Sequence, residues 1–235
     1  MPSENCKAHT MQADFNCPVL AIDTSTSYLS LSLRHNGKTY TYHEPAGTRQ
    51  SELVLPQIGV LFAKAHITTA DLGAIIYAQG PGAFTGLRIG AGIAQGLSTP
   101  FATPLIGVPC LDAVAYQKPE RPCVLAATDA RMGEVFYAWF DTANHRRLSG
   151  YQVGKAAEIT APEGMVCSDS IGNAFALADK PPFDGEANMP TAADYLNLAA
   201  SGRYPATDAA HAELLYIRNK IALTAKEQAE RKGNT

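Results

Sequence analysis

The 235-residue chain contains no apolar run near the roughly 18 residues that a transmembrane helix needs, so no membrane span is expected. Positive charge is not in excess either: 22 acidic residues outnumber 19 Lys and Arg, and the formal net charge is −3. A protein that grips RNA by itself shows a basic stripe, so if nucleic acid is involved another subunit is expected to hold most of it. Cysteine is sparse and odd in number: Cys6, Cys17, Cys110, Cys123 and Cys167 never form a C-x-x-C pair. That favours a reducing, cytoplasmic setting and incidental thiols over disulfides or a zinc site. The opening MPSENCKAHTMQADFNC lacks a basic start followed by an apolar core, so no signal peptide is expected. Residues 1–17 read as a flexible extension, with Met11 as an alternative start.

Several chemical motifs are missing as well. Of His9, His35, His43, His66, His145 and His211, no two stand three or four apart, so no helical turn presents a chelating pair. H-E-x-x-H and G-x-S-x-G are absent. The glycines after residue 79 do not make a P-loop, because Leu87 and Arg88 stand where lysine and a hydroxyl are required. The dinucleotide fingerprint fails too: Gly80 and Gly82 fit, but Thr85 takes the third glycine position. No catalytic residue and no metal site is expected.

What is present is an α/β pattern. Residues 19–23 form an apolar strand, and Leu29, Leu31 and Leu33 alternate with serines in a second, half-buried one. Asn36-Gly37 predicts a hairpin turn, followed by a strand over 38–44. A helix is predicted over 51–65, strands over 74–79 and 105–108, and a glycine-rich helix between them. VLAATD at 124–129, followed by VFYAWF, repeats the opening VLAID. Such a long period suggests two duplicated lobes, although two β-hairpin starts can coincide by chance. A strand over 165–168, a helix over 191–201 and a polar helix at the tail complete the pattern.

Each glycine inside a helix costs up to about 1 kcal/mol relative to alanine. At 100° per residue, Gly86, Gly90 and Ala94 fall on one side with Ile89 and Ile93. Thr85, Arg88, Gly92, Gln95 and Gly96 fall on the other. The pattern suits a helix held between its own sheet and a partner; close packing within the chain on both sides would explain it as well. Asp23, Thr24, Ser25 and Thr26 sit where actin- and sugar-kinase-like proteins wrap phosphate. The second lobe's DARMGE lacks paired glycines and adds Glu134, so these four residues are at most a vestigial nucleotide site.

IDTST, GPGAFTGLRIGAGIAQGL, DARMGEVFYAWF and ELLYIRN together resemble the bacterial TsaB family, also called YeaZ. The resemblance implies a duplicated actin-like (ASKHA, RNase H-like) fold: a first lobe over 18–108, a smaller second lobe over 109–211, and a C-terminal helix at about 212–231 packing back. It implies a non-catalytic role in making threonylcarbamoyladenosine beside the tRNA anticodon. The catalytic paralogue TsaD and the ATPase TsaE are the implied partners, and a homodimer is the other pairing. ATP/ADP and metal are expected on those partners, with tRNA reached only through the complex. TsaD-like proteins carry H-x-x-x-H after the strand that follows the glycine helix; here Cys110 and Val114 hold those positions, and Gln50 replaces a frequent family histidine. The implied pairing surface is the first two helices. From the glycine helix it takes Gly82, Phe84, Thr85, Gly86, Arg88, Ile89 and Gly90, then Gly92, Ile93, Gln95 and Gly96. From the preceding helix it takes Ser51, Leu55 and Ile58. Two other readings stand beside this one: a stand-alone ATP-dependent transferase or kinase, and a peptidase.

Overall fold

The computed structural model describes residues 11–167 and 169–217. Strand β1 (Val19–Asp23) is buried along its whole length, which is why its first four residues read as an unbroken apolar run. It pairs antiparallel with β2 (Tyr28–His35) and parallel with β4 (Ala74–Gly80). Asn36 and Gly37, both left-handed, turn β2 into β3 (Lys38–Pro45). With β5 (Leu105–Pro109) and β11 (Ala206–Thr207) these strands form a six-stranded sheet in the order β11-β5-β4-β1-β2-β3.

Alternate residues of each strand feed two cores. Leu20, Ile22, Ile75 and Leu31 face α1 (Gln50–Ala65) and α2 (Phe84–Ser98). Val19, Ala21, Ala74 and Ile76 face α4 (Ala192–Ala199) and one side of α3 (Cys110–Ala115). Helix α4 thus belongs to the first lobe's sheet, not to the second lobe into which the sequence boundaries put it, and so does β11. Strand β2 is not half-buried: Ser30 and Ser32 lie beneath α4, and Ser30 Oγ accepts the Ala192 N–H at 2.8 Å. A small hydroxyl there leaves room for the helix and satisfies one of its unpaired N-terminal amides.

The second sheet has five strands. Strand β6 (Val124–Arg131) pairs antiparallel with β7 (Glu134–Asp141) and parallel with β10 (Asp169–Ile171). Strands β8 (Arg146–Arg147) and β9 (Gln152–Lys155) add to β7. The β6–β7 and β6–β10 relations repeat those of β1 with β2 and β4, so the doubled opening motif is a doubled topology. Helix α3 joins the halves: Cys110 and Ala113 enter the first core, while Leu111, Val114 and Ala115 enter the second.

Further expectations are corrected. Residues 11–17 are not loose: Met11 N–H donates to Ala206 O at 3.0 Å, Asp14 N–H to Gly73 O at 3.1 Å, and Met11, Ala13 and Phe15 pack on the core. The strand expected over 165–168 is β10 at Asp169–Ile171, with Met165 N–H spent on a turn to Pro162 O at 3.1 Å; Cys167 forms a disulfide with Cys123, Cα–Cα 5.0 Å, so the chain does not hold all its cysteines as thiols. The tail helix does not begin at 212: residues 212–217 carry no helix, and the remainder of that expectation lies outside the described residues. Instead this stretch straps the first lobe. Tyr77 Oη donates to Glu213 O at 2.9 Å, and Leu215 N–H to Gln79 O at 2.8 Å. Among the described residues, no helix is long and apolar enough to cross a membrane.

Candidate functional site

Helix α2 shows three flanks. On the inward one, Gly86 and Gly90 press against β1: a Cβ at Gly86 would overlap the Thr24 carbonyl oxygen, and one at Gly90 would lie 2.5 Å from Thr24 Oγ1. Thr24 Oγ1 itself donates to Gly86 O at 2.7 Å. These two glycines, assigned to the pairing surface by resemblance, serve the chain's own core instead. Ile58 is corrected likewise: it is 2% exposed and packs on the sheet.

On a second flank, Gln95 Nε2 donates to Ala209 O at 2.9 Å, and Arg88 lies 3.7 Å above the Phe84 ring with its Nε donating to Tyr216 Oη at 3.3 Å. Phe84 also meets Tyr216, ring centroids 5.8 Å apart. The strap over 208–217 therefore lines this margin. The third flank is open among the described residues. Thr85, Gly92 and Gly96 are exposed, and a Cβ at either glycine would meet none of the described residues within 4 Å. Half-buried Ile89 and Ile93 border it. On α1, Ser51, Leu55 and Gly59 are exposed at spacings of four, and a Cβ at Gly59 also meets nothing within 4 Å. Sequence reading passed over Gly59; its signal was a glycine in the middle of a helical pattern, the same unexplained cost as Gly92 and Gly96.

Gln50 is a buried clamp, its Nε2 donating to Thr26 O at 2.8 Å and to Tyr28 O at 2.7 Å. It binds the start of α1 to the β1–β2 turn. Half-buried Gly82 packs on Ser25 in the same turn, where a Cβ would lie 2.8 Å from Ser25 O.

That turn faces the β6–β7 hairpin across a cavity of about 500 Å³ between the lobes. A polyphosphate there would need free backbone amides from both turns. Ser25 N–H already goes to Asp23 Oδ1 at 2.8 Å, and Ala83 N–H to Ser25 O at 2.8 Å. Opposite, Asp129 N–H goes to Asn173 Oδ1 at 2.8 Å and Arg131 N–H to Asp129 Oδ1 at 2.7 Å. Phe84, Leu87, Phe136, Met189 and Leu215 make much of the remaining lining apolar. At the amides of Ser25, Ala83, Asp129 and Arg131 a phosphate would have to displace a bond already made. Asp23 is 4% exposed, and burial pushes its carboxyl above the usual range. Burial likewise pushes the Cys110 thiol up to about 12, away from nucleophilic reactivity at neutral pH. Among the described residues, no three His, Cys, Asp or Glu side chains gather in a metal-holding group.

Two lobes with matching strand topology, hinged on α3 around a cleft, define an actin-like α/β protein. Residues 41–227 match the family described as "TsaD: tRNA N6-adenosine threonylcarbamoyltransferase". The chain is 32% identical over 226 residues to the tRNA threonylcarbamoyladenosine biosynthesis protein TsaB of Escherichia coli K12, covering 87% of this chain and 96% of that one. It is 36% identical to the protein of the same name from Haemophilus influenzae, over 52% of this chain and 53% of that one. Among solved structures, YeaZ from Pseudomonas aeruginosa superposes with a TM-score of 0.75 at 29% identity, covering 85% of this chain and 99% of the other. The chain belongs to the TsaB (YeaZ) family.

Proposed function

We propose that this chain is a non-catalytic subunit of the assembly that installs threonylcarbamoyl on the adenosine next to the tRNA anticodon. It pairs with the catalytic paralogue TsaD through the open flank of α2 and the facing side of α1. The observation that carries this reading is the pair Gly92 and Gly96, joined by Gly59: exposed helical glycines with no packing reason among the described residues. Small residues let a second helix approach closely, and Leu55, Ile89 and Ile93 supply apolar area around the contact. Pairing by a second copy of the chain would use the same surface.

Nucleotide and metal chemistry belong, on this reading, to TsaD and to the ATPase TsaE. The amides of Ser25, Asp129 and Arg131 in the two cleft turns are already engaged, which argues against tight ATP binding by the isolated chain. The peptidase reading has little to stand on, since a buried Cys110 with a raised pKa is a poor nucleophile. A Gly92→Leu/Gly96→Leu variant tests the proposal. It should fold normally, yet bind TsaD at least about tenfold more weakly and fail to support tRNA modification in a reconstituted reaction. Normal assembly by that variant would overturn the interface. Tight binding of ATP and magnesium by the chain alone, seen in calorimetry, would revive the enzyme reading.

A further inference from the structure

On the side of the interlobe joint away from the cleft, the structure presents a second constellation. In α3, Asp112 stands two positions from Cys110, about 200° around the helix, so it looks away from the cavity that Cys110 lines. Both its oxygens are engaged: Tyr151 Oη donates to Oδ1 at 2.6 Å, and Tyr204 Oη to Oδ2 at 3.0 Å. Tyr151 comes from the second lobe, and Tyr204 from the segment between α4 and β11 of the first. The aromatic clasp carries cations on its outer side. The Arg147 guanidinium lies 3.9 Å from the centroid of the Tyr151 ring, and that of Arg203 4.6 Å from that of Tyr116. The His145 ring stacks on Tyr116 at 5.8 Å.

Arg147 and Arg203 differ from three other arginines of the second lobe. Arg121, Arg131 and Arg146 each stand within ion-pair distance of an aspartate, at 3.6, 3.4 and 3.5 Å. Arg147 and Arg203 are exposed and, among the described residues, have no carboxylate at that distance. Seated over tyrosine rings, both guanidinium groups are restrained while their side chains stay exposed; Arg147 also bonds Tyr151, and both lie within electrostatic reach of Asp112. A guanidinium fork grips a carboxylate or a phosphate alike; what RNA adds is bases that can stack on guanidinium planes and exposed aromatic rings beside the gripped backbone.

We propose that this face is an RNA contact of the chain itself: Arg147 and Arg203 hold the backbone of a single-stranded loop, beside His145 and Tyr116. The inference rests on the tRNA-modification reading, and it modifies the expectation that tRNA meets only other subunits. The site spans both lobes, so RNA bound there would tie the first lobe to the second.

The test is fluorescence anisotropy with a labelled tRNA anticodon stem–loop, on the full chain and on its complex with TsaD. In Arg147→Ala/Arg203→Ala, affinity should fall about tenfold, and the slope of log K against log salt should drop by roughly 1 to 2. Arg147→Lys/Arg203→Lys should keep the salt slope and lose part of the affinity, because ammonium groups keep the charge and lose the planar stack. Binding to TsaD, followed by pull-down, should be unchanged in both variants, which separates failure here from failure of the pairing surface. Unchanged affinity and slope in the alanine variant would overturn the proposal. So would displacement of the RNA by polyglutamate as effective as that by unlabelled stem–loop.

Discussion

Helix α2 carries two pairs of glycines with opposite duties. Gly86 and Gly90 leave no room for a methyl group, since Thr24, the residue after β1, already occupies that space. Gly92 and Gly96, about one and two-thirds turns along, leave space that nothing among the described residues fills. A periodicity argument can count small residues and place them on sides of a helix; it does not say which side meets the chain itself. The inward pair allows the fold to close, and the outward pair allows something else to come near.

Substitution should separate the duties. The largest effect is expected at Gly86→Ala, which drives a Cβ into backbone that cannot move aside and should cost on the order of 3 kcal/mol, read as a fall in Tm. If Gly86→Ala melts like the parent, the inward packing is wrong. Next comes Gly92→Leu, which should leave Tm unharmed and weaken pairing with TsaD or with a second copy by about tenfold, roughly 1.4 kcal/mol; analytical ultracentrifugation and pull-down read it. Gly92→Ala sharpens the contrast, because an exposed helical glycine replaced by alanine should gain up to about 1 kcal/mol. For a chain of this size that is a rise of roughly 2–4 °C.

The smallest effect concerns Asp23, beside the inward contact. Its folded pKa is raised by burial, so the ionised carboxylate opposes folding at neutral pH. This group's contribution is most favourable below its unfolded pKa and is lost as pH rises through the folded value. Asp23→Asn keeps an acceptor for Ser25 N–H and should raise Tm at pH 7, with the gain shrinking as pH falls toward about 4. Equal shifts at both pH values would place the cause elsewhere.

Much of the scaffold was legible because local chemistry dictates it. Asn36-Gly37 names its turn, and the alternation of Leu29, Leu31 and Leu33 names its strand. Allegiance between distant segments was not legible. Helix α4 has an apolar side, but nothing in that side says which sheet it will cover; Ser30 becomes meaningful only once Ala192 sits above it. Cys123 and Cys167 lie 44 positions apart, a spacing that carries no pairing signal, and only the course of β6 and β10 brings them together. The six-residue α3 is too short for a periodicity signal, yet it carries both Cys110 of the cleft and Asp112 of the aromatic clasp. The candidate surface was half legible: sequence reading placed Thr85, Gly92 and Gly96 on one side, whereas the strap that lies along Arg88 and Gln95 comes from a segment without a periodic pattern.

Because α4 and β11 complete the sheet begun by β1 and β2, the second lobe is an insertion within the first. On a ribosome, Val19, Ala21, Ala74 and Ile76 emerge long before α4 exists to cover them. The nascent first lobe must wait with one bare face while the whole insert is synthesised. During that interval a chaperone has something to hold, and a prematurely terminated chain has nothing with which to finish.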